Sequence, residues 1–284
     1  MVMEEDIIIE GEPIYYAHTL STKFKELRFI PLSDLHDGNP LSSMRHFTRT
    51  ISELSKPNTY GALNGDMLEA VIKGSKGDIF KQQKTPQEQA ERVVKKLTPY
   101  KKKLLGMTMG NHESRIYRET GIDLCRWMAR ELGIPYRPEG IILKISFGSG
   151  NESHQDRPYT YWIYMTHGYG GARTKPAKAV KAERAGAWLP TMDVIIMSHD
   201  HVVNVAPDVC LEPDPRTRTE KDEDGNETGF IVGRVKAHRK MLVKSSAFLK
   251  WGGYSEMLGF PPSDLEAPII LLSGTGKPHV NVLS

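Results

Sequence analysis

The sequence is poor in cysteine and has no long apolar run. Two cysteines, Cys125 and Cys210, occur in 284 residues, which excludes a disulfide-stapled scaffold and a zinc site built from thiolates alone. The longest apolar runs, such as 194–197 and 269–272, fall far below the ~18 residues of a membrane-spanning helix. The acidic stretch 1–12 also lacks an apolar core, so we expect no signal peptide, no membrane partner and a soluble, cytoplasmic protein.

An excess of charge of either sign is also missing. There are 38 Lys and Arg against 35 Asp and Glu, a net charge of +3, so any anion-binding surface must come from local clustering. The 25 glycines and 18 prolines stay well below the ~25–30% typical of low-complexity chains. A chain of this length can bury a core without covalent staples, and we predict one domain over 1–284.

Short apolar runs alternate with longer helical patterns, which is typical of a layered α/β fold. Thr85 before Pro86, with Glu88 in the first turn, predicts a capped helix start. The predicted strands are 27–32, 60–63, 104–109, 161–166, 194–198, 230–235, 241–246 and 269–272. The predicted helices are 43–54, 86–97, 121–132 and 177–188.

The segment 212–229 departs from this alternation. It has seven acidic against three basic residues, and its Asp224-Gly225 pair suits a turn. We interpret it as a surface loop or hairpin tip that leaves the single domain, with a regulatory or docking loop as the alternative.

Five predicted strands are each followed directly by side chains that bind metals in proteins. Any one such residue is weak evidence, because a lone histidine after a strand is usually a hydrogen-bonding loop residue. Strand ends in α/β folds converge on a crevice, so their joint occurrence predicts one shared site. The candidate ligands are Asp34, His36, Asp66, Asn111, His167, His199 and His201.

These ligand types indicate the chemistry of the site. Carboxylate, amide and imidazole groups without thiolate suit Mn²⁺, Fe²⁺ or Zn²⁺ and disfavour copper(I) and iron–sulfur clusters. Seven ligands exceed the four of one tetrahedral ion, so two ions sharing a carboxylate account for them better. Two ions about 3.5–4 Å apart can activate a water and hold both oxygens of an in-line displacement at phosphorus.

The ordered motifs D-x-H, G-D-x-x-E, G-N-H-E, H-G and x-H-x-H resemble those of the calcineurin-like metallophosphoesterase superfamily. They run from position 33 to position 201, about 60% of the chain, in the family's order. The resemblance implies an α/β fold with two mixed β-sheets packed as a sandwich and flanked by helices. It also implies two divalent ions per chain, for which we expect Mn²⁺, with Fe²⁺ or Zn²⁺ as alternatives.

The resemblance further assigns the ligands by motif position. It implies that the first ion is held by Asp34, His36 and His201. It implies that the second ion is held by Asn111, His167 and His199. Asp66 would bridge the two ions.

Two further residues receive catalytic roles from the resemblance. His112 would be the histidine that stabilises charge or protonates the leaving group, which is worth ~10²–10⁴-fold in rate when correctly placed. Glu69 falls where phosphoprotein phosphatases keep a carboxylate that orients that histidine and favours its protonated form. A supporting role for Glu69 beside a metal ligand is the alternative.

The protein serine/threonine phosphatase branch carries two arginines that are absent here. Ala70 and Met109 stand at their positions, which argues against that branch. We expect substrate contacts from Arg115, or from the basic stretch after His167 that includes Arg173 and Lys175. That stretch, with Lys178 and Lys181 on one helix face, is either a solvated surface or a track for phosphates.

The sequence therefore predicts a metal-dependent phosphoric ester hydrolase. We expect a phosphodiesterase acting through a metal-bridging hydroxide, with DNA or RNA, and hence nuclease activity, as one candidate. The alternatives are a phosphomonoesterase for nucleotides or phosphoproteins, and a non-catalytic scaffold of the same fold. The sequence leaves the oligomeric state open.

Overall fold

The computed structural model describes residues 15–283 except 76, 151–156, 172–173, 258, 260–261 and 263. Its strands are β1 (Tyr15–Thr19), β2 (Glu26–Leu32), β3 (Thr59–Asn64), β4 (Leu104–Thr108), β5 (Ile141–Phe147), β6 (Tyr159–Thr166), β7 (Val194–Met197), β8 (Asn204–Lys221), β9 (Glu227–Lys244), β10 (Ile269–Ser273) and β11 (Val280–Leu283). Its helices are α1 (Met44–Ser52), α2 (Pro86–Leu97), α3 (Asn111–Thr120), α4 (Leu124–Leu132), α5 (Lys175–Trp188) and α6 (Tyr254–Met257). Two 3-10 helices lie at Glu53–Ser55 and Thr98–Lys103.

The strands form two sheets, and each sheet contains both parallel and antiparallel pairs. The six-stranded sheet has the order β1-β5-β6-β7-β9-β8, in which β6, β7 and β9 run parallel. The five-stranded sheet has the order β11-β10-β2-β3-β4, in which β2, β3 and β4 run parallel. The predicted fold class, an α/β fold with two mixed sheets, is confirmed.

The inner faces of the two sheets form a shared core. Phe29 and Ile270 of one sheet pack with Leu143, Ile163 and Val243 of the other, and all five are buried. Alternation along β5 and β6 follows from the two-residue period of a strand, which turns every second side chain inward. The sandwich is therefore held mainly by burial of apolar surface.

Helices cover the outer faces of the sandwich. Phe47 of α1, Val93 of α2 and Met128 of α4 belong to the core against the five-stranded sheet. Ala182 and Ala185 of α5 pack against the six-stranded sheet. These helices lie over the outer faces of the sheets and not over the ends of the strands. The loops after the parallel strands are therefore available to form a site.

The carboxyl ends of the parallel strands of both sheets meet at one edge of the sandwich. The backbone N–H of Asp34 donates to the carbonyl of Gly65 at 3.1 Å, and Ser198 N–H donates to His167 O at 3.0 Å. Phe248 N–H, after β9, donates to Asp34 O at 2.9 Å and so joins the two sheets there. This edge holds all five predicted ligand loops.

Some elements differ from the sequence prediction. Helix α3 was not predicted, because its first residues were interpreted only as candidate site residues. The predicted helix at 121–132 begins later, since Gly121 with φ 73° ends α3 and Asp123 caps α4. Strands β1, β5, β8 and β11 were also not predicted, and the two strands predicted at 230–235 and 241–246 are one strand, β9.

The predicted excursion at 212–229 lies in the outer part of the hairpin formed by β8 and β9. Asp224 and Gly225 lie in its turn, where Gly225 has a φ of 87°. None of the described helices is long and apolar enough to cross a membrane.

Helix α2 begins with the capping arrangement that the sequence predicts. The Thr85 hydroxyl accepts from Glu88 N–H at 3.3 Å, and Glu88 accepts from Thr85 N–H at 2.7 Å. We expect Thr85→Ala to lower the free energy of unfolding by about 1 kcal/mol, measured by urea denaturation. Thr85→Ser, which keeps the hydroxyl, should stay near the wild type; equal losses in both variants would contradict the capping role.

Candidate metal centre

The backbone at the candidate site is locally strained. Among the described residues, seven that are not glycine have a positive φ, and five of these seven are predicted ligands. Left-handed backbone at such residues costs about 1–3 kcal/mol each and concentrates at functional sites. The five, with φ between 50° and 69°, are Asp34, His36, Asp66, His199 and His201.

Asp34, His36 and His201 form a first cluster, whose ligand atoms all lie within 4.8 Å of one another. His201 Nε2 lies 3.1 Å from Asp34 Oδ1 and 3.2 Å from His36 Nε2. Two imidazole nitrogens and a carboxylate oxygen that converge in this way fit a borderline divalent ion. The group can hold a metal.

Asp66, His167 and His199 form a second cluster within the same distance limit. His167 Nε2 lies 3.2 Å from Asp66 Oδ2. The amide oxygen of Asn111 adds a further ligand atom, 3.2 Å from His167 Nε2 and 2.8 Å from His199 Nδ1. Both clusters therefore have the ligand types that the sequence predicts for them.

Asp66 lies between the two clusters. Its Oδ2 atom is 3.2 Å from His167 Nε2 and 3.9 Å from both His36 Nε2 and His112 Nε2. Burial acts to raise the pKa of Asp66, but the facing His167 and His112 hold it well below its ordinary value. The carboxylate is thus placed where a bridging ligand would have to be, and its role as a bridge stays a prediction.

The geometry favours the alternative role of Glu69, support of a candidate metal ligand. His112 Nδ1 lies 2.7 Å from the backbone carbonyl of Glu69, whereas the Glu69 carboxylate is 3.7 Å away and closer, 3.2 Å, to His36 Nδ1. The carboxylate therefore faces the candidate ligand His36, and the backbone carbonyl orients His112.

His112 is accordingly not held in its charged form. Burial lowers the pKa of His112 to about 4, and Asp66 opposes this only in part. Its Nδ1 faces a carbonyl, so the N–H of the neutral ring lies on Nδ1 and the lone pair on Nε2. Nε2 is the atom that faces Asp66 and the cleft.

Glu113 is a structural residue of the site to which the sequence interpretation gave no role. Its buried carboxylate accepts hydrogen bonds from the backbone N–H groups of Asp66, Leu68 and Gly110, at 3.0, 2.9 and 3.1 Å. It therefore fixes the loop after β3 against the start of α3. The available signal was a Glu three residues after Gly110, the spacing of a capping box.

A buried cluster of charges lies beneath the loop of His199 and His201. Lys181 Nζ is 2.7 Å from Asp200 Oδ1, and Lys244 Nζ contacts Asp200 Oδ2. Lys178 Nζ donates to the Asp200 backbone carbonyl at 2.9 Å. All four residues are buried.

This cluster corrects the interpretation of the basic stretch after His167. Lys178 and Lys181 do not form a solvated face, because both ammonium groups bind Asp200. Lys178 also lines the cleft, so a contact with substrate phosphates stays a prediction. Lys175 begins α5, and its side chain lies outside the described part of the structure. Arg173 lies outside the described residues, so its predicted substrate contact stays a prediction.

A cleft of about 1240 Å³ lies above the two clusters. Arg115, predicted to contact substrate, lines it, as does Trp251, which is 46% exposed. Basic side chains come to its walls from the loop after β3, from α3 and from the loop after β9. They are Lys73, Lys81, Arg115, Arg118 and Lys250; Lys178 of α5 also lines the cleft, as do the carboxylates of Asp78 and Glu119.

No protein-family model matches the chain, and no curated protein matches it. Solved structures match at low similarity. One is a conserved uncharacterized protein of Streptococcus pneumoniae TIGR4, described as a predicted phosphoesterase, with 10% identity and a TM-score of 0.35 over 92% of this chain and 99% of that one. Another is a single mutant of Vps29 from Entamoeba histolytica, with 10% identity and a TM-score of 0.39 over 91% and 100%.

A third match is the NAD nucleotidase NadN of Haemophilus influenzae, with 10% identity and a TM-score of 0.38 over 90% of this chain. The chain spans about half of that protein, 49% of its length. Similarity at this level bears on neither activity nor substrate. The two mixed sheets and the groups of possible metal ligands in the chain itself fit the fold and the kind of site that the motif resemblance implies.

The position of Asp66 between the clusters generates a test of its bridging role. We expect Asp66→Asn to weaken Mn²⁺ binding at both clusters together, by about tenfold or more at each, because one charged ligand is lost from both. Calorimetric titration of the metal-stripped protein would measure this. Asp78→Asn, which alters an exposed carboxylate on the same loop, is the control. Loss of one ion with the other unchanged would contradict the bridge.

The Asp200 cluster generates a stability test. Asp200→Asn would leave the ammonium groups of Lys181 and Lys244 buried without a carboxylate. We expect a loss of about 3–5 kcal/mol in the free energy of unfolding, measured by urea denaturation. Asp78→Asn removes the carboxylate of an exposed pair with Lys81 and should cost about 1 kcal/mol or less. Similar small losses in both variants would rule out the cluster as a stabilising feature.

Proposed function

We propose that the chain is a binuclear metal-dependent phosphoesterase that prefers phosphodiesters. The observation that carries the proposal is a set of three overlapping groups of possible metal ligands at the base of an open cleft. Asp66 belongs to two of these groups, one with His36 and His112 and the other with His167 and His199. Seven ligand atoms of oxygen and nitrogen type fit two ions of the Mn²⁺, Fe²⁺ or Zn²⁺ kind better than one. We expect Mn²⁺ to be the most effective of these.

The chain's residues would divide the work as follows. One ion would be held by Asp34, His36 and His201, and the other by Asn111, His167 and His199, with Asp66 between them. Two such ions supply the activation of a water and the stabilisation of charge during in-line displacement at phosphorus. Glu69 would hold the ring of His36 in place through its Nδ1.

His112 is proposed as the residue that handles the leaving group. The carbonyl of Glu69 fixes its ring, so Nε2 points toward the cleft between the two clusters. A phosphoester anion next to the ring favours the protonated form, which offsets the effect of burial on the pKa. His112 Nε2 would then donate a hydrogen bond or a proton to the departing oxygen.

The walls of the cleft favour a diester substrate. Ala70 is buried and its N–H donates to Gln89 at 3.0 Å, so no side chain there can grip a terminal phosphate as the phosphatase arginines do. The basic residues instead line the cleft from three separate segments and suit a substrate that extends on both sides of the reacting phosphate.

DNA and RNA are the candidate substrates that fit this cleft. Successive phosphates would contact the basic residues of the walls, and Trp251 lines the cleft beside Lys250. The N-terminus of α3, which begins at Asn111, also faces the cleft and favours an anion there.

The proposal is tested by parallel hydrolysis of a bis-aryl phosphodiester and the matching monoester. The full chain is stripped of metal and reloaded with Mn²⁺, Fe²⁺ or Zn²⁺. We expect faster cleavage of the diester and a loss of about 10²–10⁴-fold in His112→Ala. End-labelled single-stranded DNA and RNA are then assayed under the same conditions.

One control variant and the pattern of hydrolysis distinguish the possible functions. Lys101→Ala, on the exposed surface away from the cleft, should keep full activity. Faster cleavage of the monoester would contradict the proposed diesterase activity and favour a phosphomonoesterase that acts on nucleotides or phosphoproteins. Two bound ions without turnover of any ester would favour a non-catalytic scaffold, and an unchanged rate in His112→Ala would remove His112 from the mechanism.

A further inference from the structure

The β8–β9 hairpin is much longer than the sheet to which it belongs. Each strand has 18 residues, but only the four residues of β9 from Met241 to Lys244 pair with β7. The remainder, residues 209–239, is here called the arm. Because β9 runs parallel to β7, the arm projects beyond the amino end of β7, opposite the edge that holds the metal centre.

The arm is largely exposed to solvent on both faces. A two-stranded ribbon without a third strand or a packed face is marginally stable in water. Its ladder is also interrupted between Pro213 and Thr217, where the register shifts. One ion-pair group, Asp214 with Arg216 and Lys236, lies along it.

One face of the arm is apolar, here called the apolar face. Cross-strand pairs place Val209 opposite Arg239, Leu211 opposite Ala237 and Pro213 opposite Val235 on the same side of the ribbon. Ile231 shares this side, because it lies four residues before Val235 on the same strand and side chains alternate along a strand. The exposed fractions of Val209, Leu211, Ile231 and Val235 are 56%, 71%, 76% and 63%.

This apolar face continues the inner face of the six-stranded sheet. Met241 and Val243 follow Arg239 at two-residue intervals and are buried in the core between the sheets. Apolar residues on this side of the strand thus continue for ten residues beyond Met241, to Ile231, with Arg239 and Gly233 between them. Contiguous exposed apolar surface of this kind marks a protein contact.

Charge is distributed unevenly along the arm. The turn end carries five carboxylates against one lysine, and Arg239 lies at the root of the apolar face. Arg234 and Lys236 lie on the opposite side of the ribbon, where Lys236 pairs with Asp214. The acidic residues of the turn end are Glu220, Asp222, Glu223, Asp224 and Glu227.

These features point to one occupant. Two copies of the arm would cross in antiparallel orientation about a two-fold axis. Their apolar faces would then be buried against each other, and the acidic turn of each copy would lie over Arg239 at the root of the other. A two-fold interface uses the same patch on both subunits, which requires such self-complementarity. A nucleic acid would be repelled by the acidic turn.

We propose that the arm docks a second copy of this chain through its apolar face, which makes the protein a dimer. Both clefts remain open in this arrangement, since the arm extends from the opposite end of the sandwich. The proposal is independent of the proposed activity, because no residue of the arm contributes to the metal centre.

The test measures the mass of the full chain in solution by sedimentation equilibrium over a range of concentrations. We expect twice the 32.0-kDa mass of one chain. Leu211→Lys and Ile231→Lys should each raise the dissociation constant by about tenfold or more, the effect typical of losing a central apolar anchor. Phe230→Lys is the matched control, because this neighbour is 67% exposed on the opposite side of the same strand.

A charge exchange tests the antiparallel crossing. The double variant Glu223→Lys, Asp224→Lys reverses the charge of the turn, and Arg239→Glu reverses the charge at the root. Each of these two variants alone should therefore dimerise more weakly than the wild type. Mixing the two variants restores opposite charges at both contacts, and the mixture should form a heterodimer.

Far-UV circular dichroism confirms that each variant is folded, and hydrolysis of the aryl diester should be unchanged in all of them. A wild-type monomer at every concentration overturns the proposal. A dimer that Leu211→Lys and Phe230→Lys weaken equally overturns it as well.

Discussion

The carboxylate of Asp66 is the group on which the rest of the site depends. Its Oδ2 faces His167 and lies within 4 Å of two further histidines, and its Oδ1 accepts from the His112 backbone N–H at 2.8 Å. Its own backbone N–H donates to Glu113, whose carboxylate also binds two other backbone groups. One buried charge is therefore fixed from both its side chain and its backbone, and the loops from both sheets are arranged around it.

Burying so many polar groups together costs free energy, which other parts of the fold must offset. Five ligand residues have left-handed backbone, which is unfavourable for any residue with a Cβ. The surrounding sandwich supplies the opposing free energy through its apolar core. Beneath the loop of His199 and His201, Asp200 is held by Lys181 and Lys244, so this loop is anchored by buried charge rather than by apolar packing.

The two ends of the sandwich are suited to different tasks. At the carboxyl end of the parallel strands, an open cleft with several basic residues on its walls lies above the candidate ligand clusters. At the opposite end, the apolar core pattern of the six-stranded sheet continues into the exposed arm. The proposed assembly through the arm would leave the cleft open, because the arm and the cleft lie at opposite ends of the sandwich.

The order of the loops that carry the candidate ligands, and most of the strands that position them, can be predicted from the sequence. Those features are local: apolar runs define strands, and polar residues directly after Leu32 or Met197 must lie at the strand ends. Tertiary structure alone decided which group each side chain meets. The Glu69 carboxylate faces His36 rather than His112, and Lys178 and Lys181 are buried against Asp200, because contacts between residues distant in the chain depend on how two sheets pack.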